Sequence, residues 1–362
     1  MTAETADAAA PAFSEARVSA RAVEANTRRF ASLCGGHGVM AVLTADAFGH
    51  GALQAAAAAV AGGATWLATA RLDDAIALRR GGRREPIVFW QLDPFEDLAP
   101  AAELGLIPAV SSTESLQRVV AAGIRSLHLV VESGAGAPGI DPARWAELVA
   151  STVEPQRSGK VDAVGIMDWS GDAPSGELGR AVAAALQQGL VIDVVHSDGA
   201  PGGPRDSTVS VVRAGAVLFG LSEQLGPAPD GFVPAMTLSA AVLGLKAAEA
   251  GVGVSYGYTY RTRERTTLAL VSLGYGDGID RAAGNRAPIM IGDRTLTISG
   301  RVAMDASVVD VGDLTTSPGD RAVFFGDPAA GHPTAQQWGS ALGVPSAAIT
   351  ATLTARVQRI WS

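Results

Sequence analysis

Two short stretches, GIMDWSGD at 165–172 and HSDGAP at 196–201, gather Asp168, Trp169, His196, Ser197 and Asp198. A carboxylate and an imidazole within hydrogen-bond reach of one reacting carbon are the ingredients of general acid/base chemistry, which needs groups whose pKa can be tuned. Asp46 and His50, in TADAFGHG, follow an apolar run and read as a turn in which the Asp caps and the His braces. His128 lies on an alternating strand pattern and reads as a packed core histidine; His37 and His332, next to glycines, read as surface loop residues. Asp168, Asp198 and His196 could also ligate a divalent ion. No H-x-x-x-H or other closely spaced ligand motif is present, so no metal is expected.

Composition narrows the function classes. With 362 residues, 48% of them hydrophobic, the chain is long enough for a barrel-sized domain and a smaller one. A net charge of -8, with arginines scattered along the chain, offers no basic field for nucleic acid. The single cysteine, Cys34, excludes an internal disulfide and reads as a packing residue. The opening lacks a basic stretch followed by an apolar run, and no uninterrupted apolar stretch of about 18 residues occurs, so a cytoplasmic protein without membrane contact is expected. Only two of the 28 basic side chains are lysines, Lys160 and Lys246.

The residues above need elements to hold them. Apolar runs rich in Val, Ile and Leu, near 39–45, 65–70, 87–91, 107–110, 126–132, 163–169, 191–197 and 213–220, alternate with Ala-rich amphipathic stretches. Eight strand–helix repeats predict an α/β fold, a (β/α)8 barrel with its chemistry at the C-terminal strand ends. Thr44, Glu132, Asp168, His196 and Ser197 fall at such ends. After the Gly- and Pro-rich LGPAPDGFVPAM, strand-like runs separated by turns predict a mostly β domain, with Gly292-Asp293 as a two-residue hairpin turn. The expected organisation is an N-terminal segment over 1–12, possibly packing on the β domain, a barrel over 13–232 and a C-terminal β domain over 233–362.

Five motifs then occur in one order. AVLTADAFGHG at 41–51, VRAGAVLFGL at 212–221, GVSYGYTYRT at 253–262, LGYGDGIDR at 273–281 and GRVAMDASVVDVGD at 300–313 resemble signatures of alanine racemases. The resemblance covers nearly the whole chain. It implies a fold-type-III architecture, a head-to-tail homodimer and active sites completed by the partner's β domain. It also places Arg213 at the pyridine nitrogen of pyridoxal phosphate (PLP), Gly215 and Ala216 at its phosphate, and Tyr256 as an acid/base delivered by the partner. Tyr275, Met304 and Asp305 fall at the substrate entrance and carboxylate site.

The barrel half departs from that pattern. Thr44 stands where the family has its Schiff-base lysine, Phe48 where a phosphate-binding tyrosine is usual, Val130 at an often carbamylated lysine and Ala137 at an arginine facing the cofactor's phenolic oxygen. Asp168 and Trp169 replace a Thr-His pair, and Gly199 and Ala200 an Asn-Ser pair. An exchange engineered to trap a complex would leave the rest of the site ordinary, whereas these changes share one function. Lys160 precedes the sixth strand at the barrel's bottom, and Lys246 lies in the β domain, so neither offers a replacement amine.

On this basis the sequence predicts a homodimeric isomerase- or lyase-type enzyme of specialised metabolism that works without PLP or any other cofactor. Tyr256, Asp168 and His196 would perform acid/base catalysis on a small amino-acid-derived substrate. Trp169, Arg213, Tyr275, Met304, Asp305, Thr44, Ser197 and Asp198 would line its site; Thr44, Phe48, Arg213, Gly215 and Ala216 would be vestiges of a PLP site. Two other readings stay open, a non-catalytic protein that binds a small ligand or partner, and a PLP-dependent alanine racemase whose cofactor is held without a covalent link.

Overall fold

The computed structural model describes residues 13–131, 139–140, 142–169, 177–199 and 208–362. The expectations for the 1–12 segment, Glu132, Ala137 and Ala200 lie outside these residues. Two compact units emerge, one of residues 20–220 and 228–233, the other of 221–227 and 234–362 together with the strand Ser14–Val18.

That strand, β1, departs from the expected boundary at residue 13. It pairs antiparallel with Met236–Ala248 and parallel with Gln358–Trp361, both in the β unit. A five-residue strand carries no local mark of its partner, because ladder hydrogen bonds satisfy the backbone equally well with any compatible edge.

The first unit runs α1 (Ala20–Leu33), β2 (Gly38–Val42), α2 (Thr44–Gly49), α3 (Ala52–Ala61), β3 (Trp66–Thr69), α4 (Leu72–Arg80), β4 (Ile87–Phe89) and α5 (Ala99–Glu103). It continues with β5 (Ile107–Val110), α6 (Thr113–Ala121), β6 (Ser126–Val130), α7 (Pro142–Arg157), β7 (Ala163–Met167), α8 (Glu177–Gln187), β8 (Val194–Asp198) and β9 (Val211–Ala214). Strands β2 to β9 close a parallel barrel in sequence order, as the alternation predicts. Met40, Ala68, Val88, Ile107, Val194 and Val211 form one of its cores. The strands are apolar because each has one side in the barrel and the other under helices.

In the second unit β10 (Met236–Ala248) is the spine. Its first half pairs with β1 and with β13 (Arg321–Phe325), and its second half with β11 (Thr266–Ser272), which pairs in turn with β12 (Ala306–Gly312). The hairpin of Pro288–Ile291 and Arg294–Thr297 turns on Gly292-Asp293, as expected. No helix among the described residues is long and apolar enough to cross a membrane.

Candidate active site

Strand β2 ends in an unusual turn. Ala45, Asp46, Ala47 and Phe48 all have left-handed backbone angles, φ 50–55° and ψ 38–53°. An L-residue in a left-handed helix costs roughly 1–2 kcal/mol, so four cost about 4–8 kcal/mol and need compensating contacts. The buried His50 provides some, with Nδ1 at 2.9 Å from the Ala47 carbonyl and 3.0 Å from the Phe48 carbonyl. Because carbonyls only accept, Nδ1 carries the proton. Asp46 Oδ1 accepts from the Ala52 backbone at 2.7 Å, which ties the turn to the start of α3. Asp46 and His50 thus brace the turn that Thr44 opens. Phe48, in the family's tyrosine place, packs its ring 5.8 Å from that of Phe219.

The polar centre of the barrel lies on β8 and β9. Their register sets Asp198 opposite Arg213, with His196 two residues earlier on the same face. Arg213, with its side chain 1% exposed, donates from Nε to Asp198 Oδ1 at 2.7 Å and from Nη2 to the Asp168 carbonyl. Nη1 lies 3.0 Å from His196 Nδ1. A guanidinium can only donate, so His196 Nδ1 accepts and the neutral ring keeps its proton on Nε2. That nitrogen lies 2.7 Å from His128 Nδ1.

Burial holds both imidazoles neutral. His128 is pushed down to about 3 by desolvation and by the Arg213 charge, and His196 well below its ordinary value by desolvation, then by His128 and Arg213. This corrects the expectation for His196, because both of its ring nitrogens are engaged inside the barrel. Its Nδ1 braces the Arg213 guanidinium. His128, read from sequence as core packing, is part of the same chain. Ser197 alternates to the other face of β8, away from this cluster.

Opposite the polar centre stands an apolar wall. Val130, Met167 and Ala109 are buried together, with Trp90 and Trp169 packed against them. The two indoles meet edge to face with centroids 5.2 Å apart, and Arg213 Cζ lies 5.4 Å from the Trp169 ring centroid. Trp169 therefore packs beside the Arg213 cluster. Trp90 packs against Trp169, although its run IVFWQ shows only strand character. Asp168 is buried, with its carbonyl on Arg213. Ala216, also buried, opens the short 3-10 turn Ala216–Phe219 after β9, with Gly215 just before it. Among the described residues no group of three or more His, Cys, Asp or Glu could hold a metal ion.

The remaining expected residues lie in the β unit. Tyr256 is 65% exposed in a loop with positive φ at Ser255, Gly257 and Tyr258. Ser255 Oγ donates to the Arg301 carbonyl at 2.5 Å, tying this loop to the segment that carries Met304 and Asp305. Tyr275 and Met304 are exposed on joined loops, where the Tyr275 and Gly276 amides donate to the Ala303 and Met304 carbonyls at 2.9 and 2.8 Å.

Residues 18–223 match the family model for the alanine racemase N-terminal domain, and residues 235–361 the model for the alanine racemase C-terminal domain. The chain belongs to the alanine racemase family. The alanine racemase of Thermobifida fusca (strain YX) is 39% identical, over 97% of this chain and 98% of that protein. The crystal structure of alanine racemase from D-cycloserine-producing Streptomyces lavendulae is 34% identical, with a TM-score of 0.92 over 97% of each chain. That of Bartonella henselae, solved with covalently bound pyridoxal phosphate, shares the fold at 24% identity and a TM-score of 0.82, over 97% of this chain and 100% of that chain.

These matches overturn the expectation of an isomerase- or lyase-type enzyme that works without PLP, and with it the expectation of no cofactor. Relatives matched along nearly their full length are named alanine racemases, a racemase being an isomerase. Taking the changes at Thr44, Phe48, Val130 and their neighbours as loss of the cofactor overweighted the barrel half, because they leave the Arg213 guanidinium in place. Arg213 has five N–H donors, and its three side-chain contacts among the described residues use three of them. The donor set therefore fits PLP as a ligand. Neither lysine stands at the Thr44 position: Lys160 lies between α7 and β7, at the other end of the barrel strands, and Lys246 is exposed on β10.

Proposed function

We propose that this chain is an amino-acid racemase, acting on alanine or a similarly small amino acid, which holds pyridoxal phosphate through Arg213 and the surrounding walls with no lysine link. The observation that carries this is the buried Arg213 and its donors, in a chain matched end to end by racemases. PLP, when bound, supplies an electron sink for the pair left on Cα after deprotonation.

The protein's own groups do the rest. Arg213, always charged and kept in place by Asp198 and His196, would hold the cofactor's ring nitrogen as an acceptor. The Trp90, Trp169, Val130 and Met167 wall keeps water from that side. Inversion at Cα needs one group to take a proton on one face and another to deliver one on the opposite face. We assign these to the Tyr256 phenol and the Asp168 carboxyl, with Met304 and Tyr275 at the substrate's carboxylate end.

All four tyrosines fall between 256 and 275, and the barrel has none. We infer, as the family resemblance implies, that the phenol comes from a second copy in a head-to-tail homodimer with two shared sites. Sedimentation should give a dimer at micromolar concentration; a stable monomer would overturn the shared site. Incubating L-alanine with the protein and PLP in D2O should put deuterium on Cα and abolish optical rotation. Cα exchange no faster than with PLP alone would remove the racemase reading.

A further inference from the structure

The group that ties the carboxylate-end loops together is an arginine near the C-terminus. Arg356 Nε lies 3.1 Å from Asp277 Oδ1, and its Nη2 lies 2.6 Å from Asp305 Oδ1. The other oxygen of Asp277 accepts from the Gly274 amide at 2.8 Å, closing the short turn Tyr275–Asp277. One guanidinium thus spans the Tyr275 loop and the Met304–Asp305 loop. Backbone bonds between the same loops, Tyr275 to Ala303 and Gly276 to Met304, lie beneath it.

The packing leaves no slack. A Cβ on Gly276 would sit 2.5 Å from Arg356 Nη1 and 3.1 Å from the Met304 carbonyl, so a side chain there would push the guanidinium aside. The C-terminal segment is sewn to the same place, the Thr354 amide donating to the Asp277 carbonyl at 3.0 Å and the Thr354 hydroxyl to the Gly276 carbonyl at 3.2 Å. Asp277 is nearly buried whereas Asp305 is 65% exposed, so the Arg356 contact restrains a carboxylate that otherwise faces solvent, beside the backbone-bonded Met304.

We propose that Arg356 is a positioning residue for substrate binding, which clamps Asp277 to Asp305 and thereby holds Tyr275 and Met304 as a preformed surface for the amino acid's carboxylate end. This rests on the racemase reading above. Surface ion pairs contribute little to stability, so the clamp acts on placement more than on folding. The two-pronged contact needs the planar fork, and a lysine reaches only one carboxylate at a time.

Two measurements on Arg356→Gln and Arg356→Lys test it. Amide hydrogen exchange of full-length protein should show Tyr275 and Gly276 protected in the wild type and at least about tenfold faster in Arg356→Gln, with Arg356→Lys between. Unchanged exchange would overturn the clamp. In racemisation of L-alanine with PLP present, Arg356→Gln should raise KM about tenfold or more with kcat little changed, as for lost positioning of the bound substrate. A loss in kcat alone, or an unaltered KM beside faster exchange, would overturn the link to binding. A wild type without turnover would remove the racemase reading and with it the link to binding, and the exchange data would still decide the clamp.

Discussion

His196 Nε2 stands 2.7 Å from His128 Nδ1 inside the barrel, reached across an intervening strand, with Arg213 on the far nitrogen of His196. The guanidinium therefore dictates the tautomer of two imidazoles in series. Both stay neutral in the folded protein while a free histidine takes up a proton near pH 6.5. Between pH 6.5 and about 3 the unfolded chain binds more protons at these sites than the folded chain does. Stability from this pair is thus fully present above pH 6.5 and is lost as pH falls toward 3. The expected outcome is a melting temperature that already declines between pH 6.5 and 5, before most carboxylates titrate. His128→Asn, which cannot charge, should flatten that decline; an equal slope in wild type and variant would show the pair to be irrelevant.

Gly165 makes this contact possible. It lies beside His128 in the β6–β7 register, and a Cβ there would fall 2.3 Å from His128 Cδ2. Gly165→Ala should cost about 1–3 kcal/mol, as overpacking does in a filled core. The double change Gly165→Ala with His128→Ala should cost less than the sum of the single ones, because removing the ring clears the clash. Denaturant titration of the four proteins measures the difference.

The left-handed turn after β2 makes a prediction of unusual sign. At Ala45, φ 50° and ψ 51°, glycine has no steric penalty, so Ala45→Gly should leave stability unchanged or raise it, where glycine for alanine in an ordinary helix costs roughly 0.5–1 kcal/mol. His50→Leu, which removes the donor to the Ala47 and Phe48 carbonyls, should destabilise by about 1–3 kcal/mol. A destabilising Ala45→Gly would mean that the turn is not strained as described.

Thr44→Lys tests how the cofactor is held. With no amine at the barrel mouth, wild type treated with PLP and borohydride should keep its unmodified mass, whereas Thr44→Lys should gain one reduced pyridoxyl group. Modification of the wild type at Lys160 or Lys246 would contradict the non-covalent site. Arg213→Ala should weaken PLP retention in dialysis in either background.

Much of this protein is legible along the chain. Apolar runs separated by amphipathic stretches determine a parallel barrel, because each strand must be apolar on both sides and each crossover must cover one of them. The motif order determines the family, and the chain holds only two lysines, with Thr44 at the place of the family's Schiff-base lysine. Asp46 and His50 were readable as turn braces, since short polar side chains beside glycines bond to nearby backbone.

What tertiary structure alone decided is whatever depends on residues far apart in sequence. His196 as a positioning group follows from the closed register that sets His128, Gly165 and Arg213 around it, and no local pattern carries a contact 68 residues long. The same holds for the Trp90–Trp169 pair, and for Arg356, which bonds Asp305 from 51 positions away. β1 joined the β unit because its partners, β10 and Gln358–Trp361, complete a sheet hundreds of residues later. Local sequence specifies which face of an element is apolar; which buried donors and acceptors meet is set by how the elements close on one another, since a buried polar group must find a partner wherever the fold puts one.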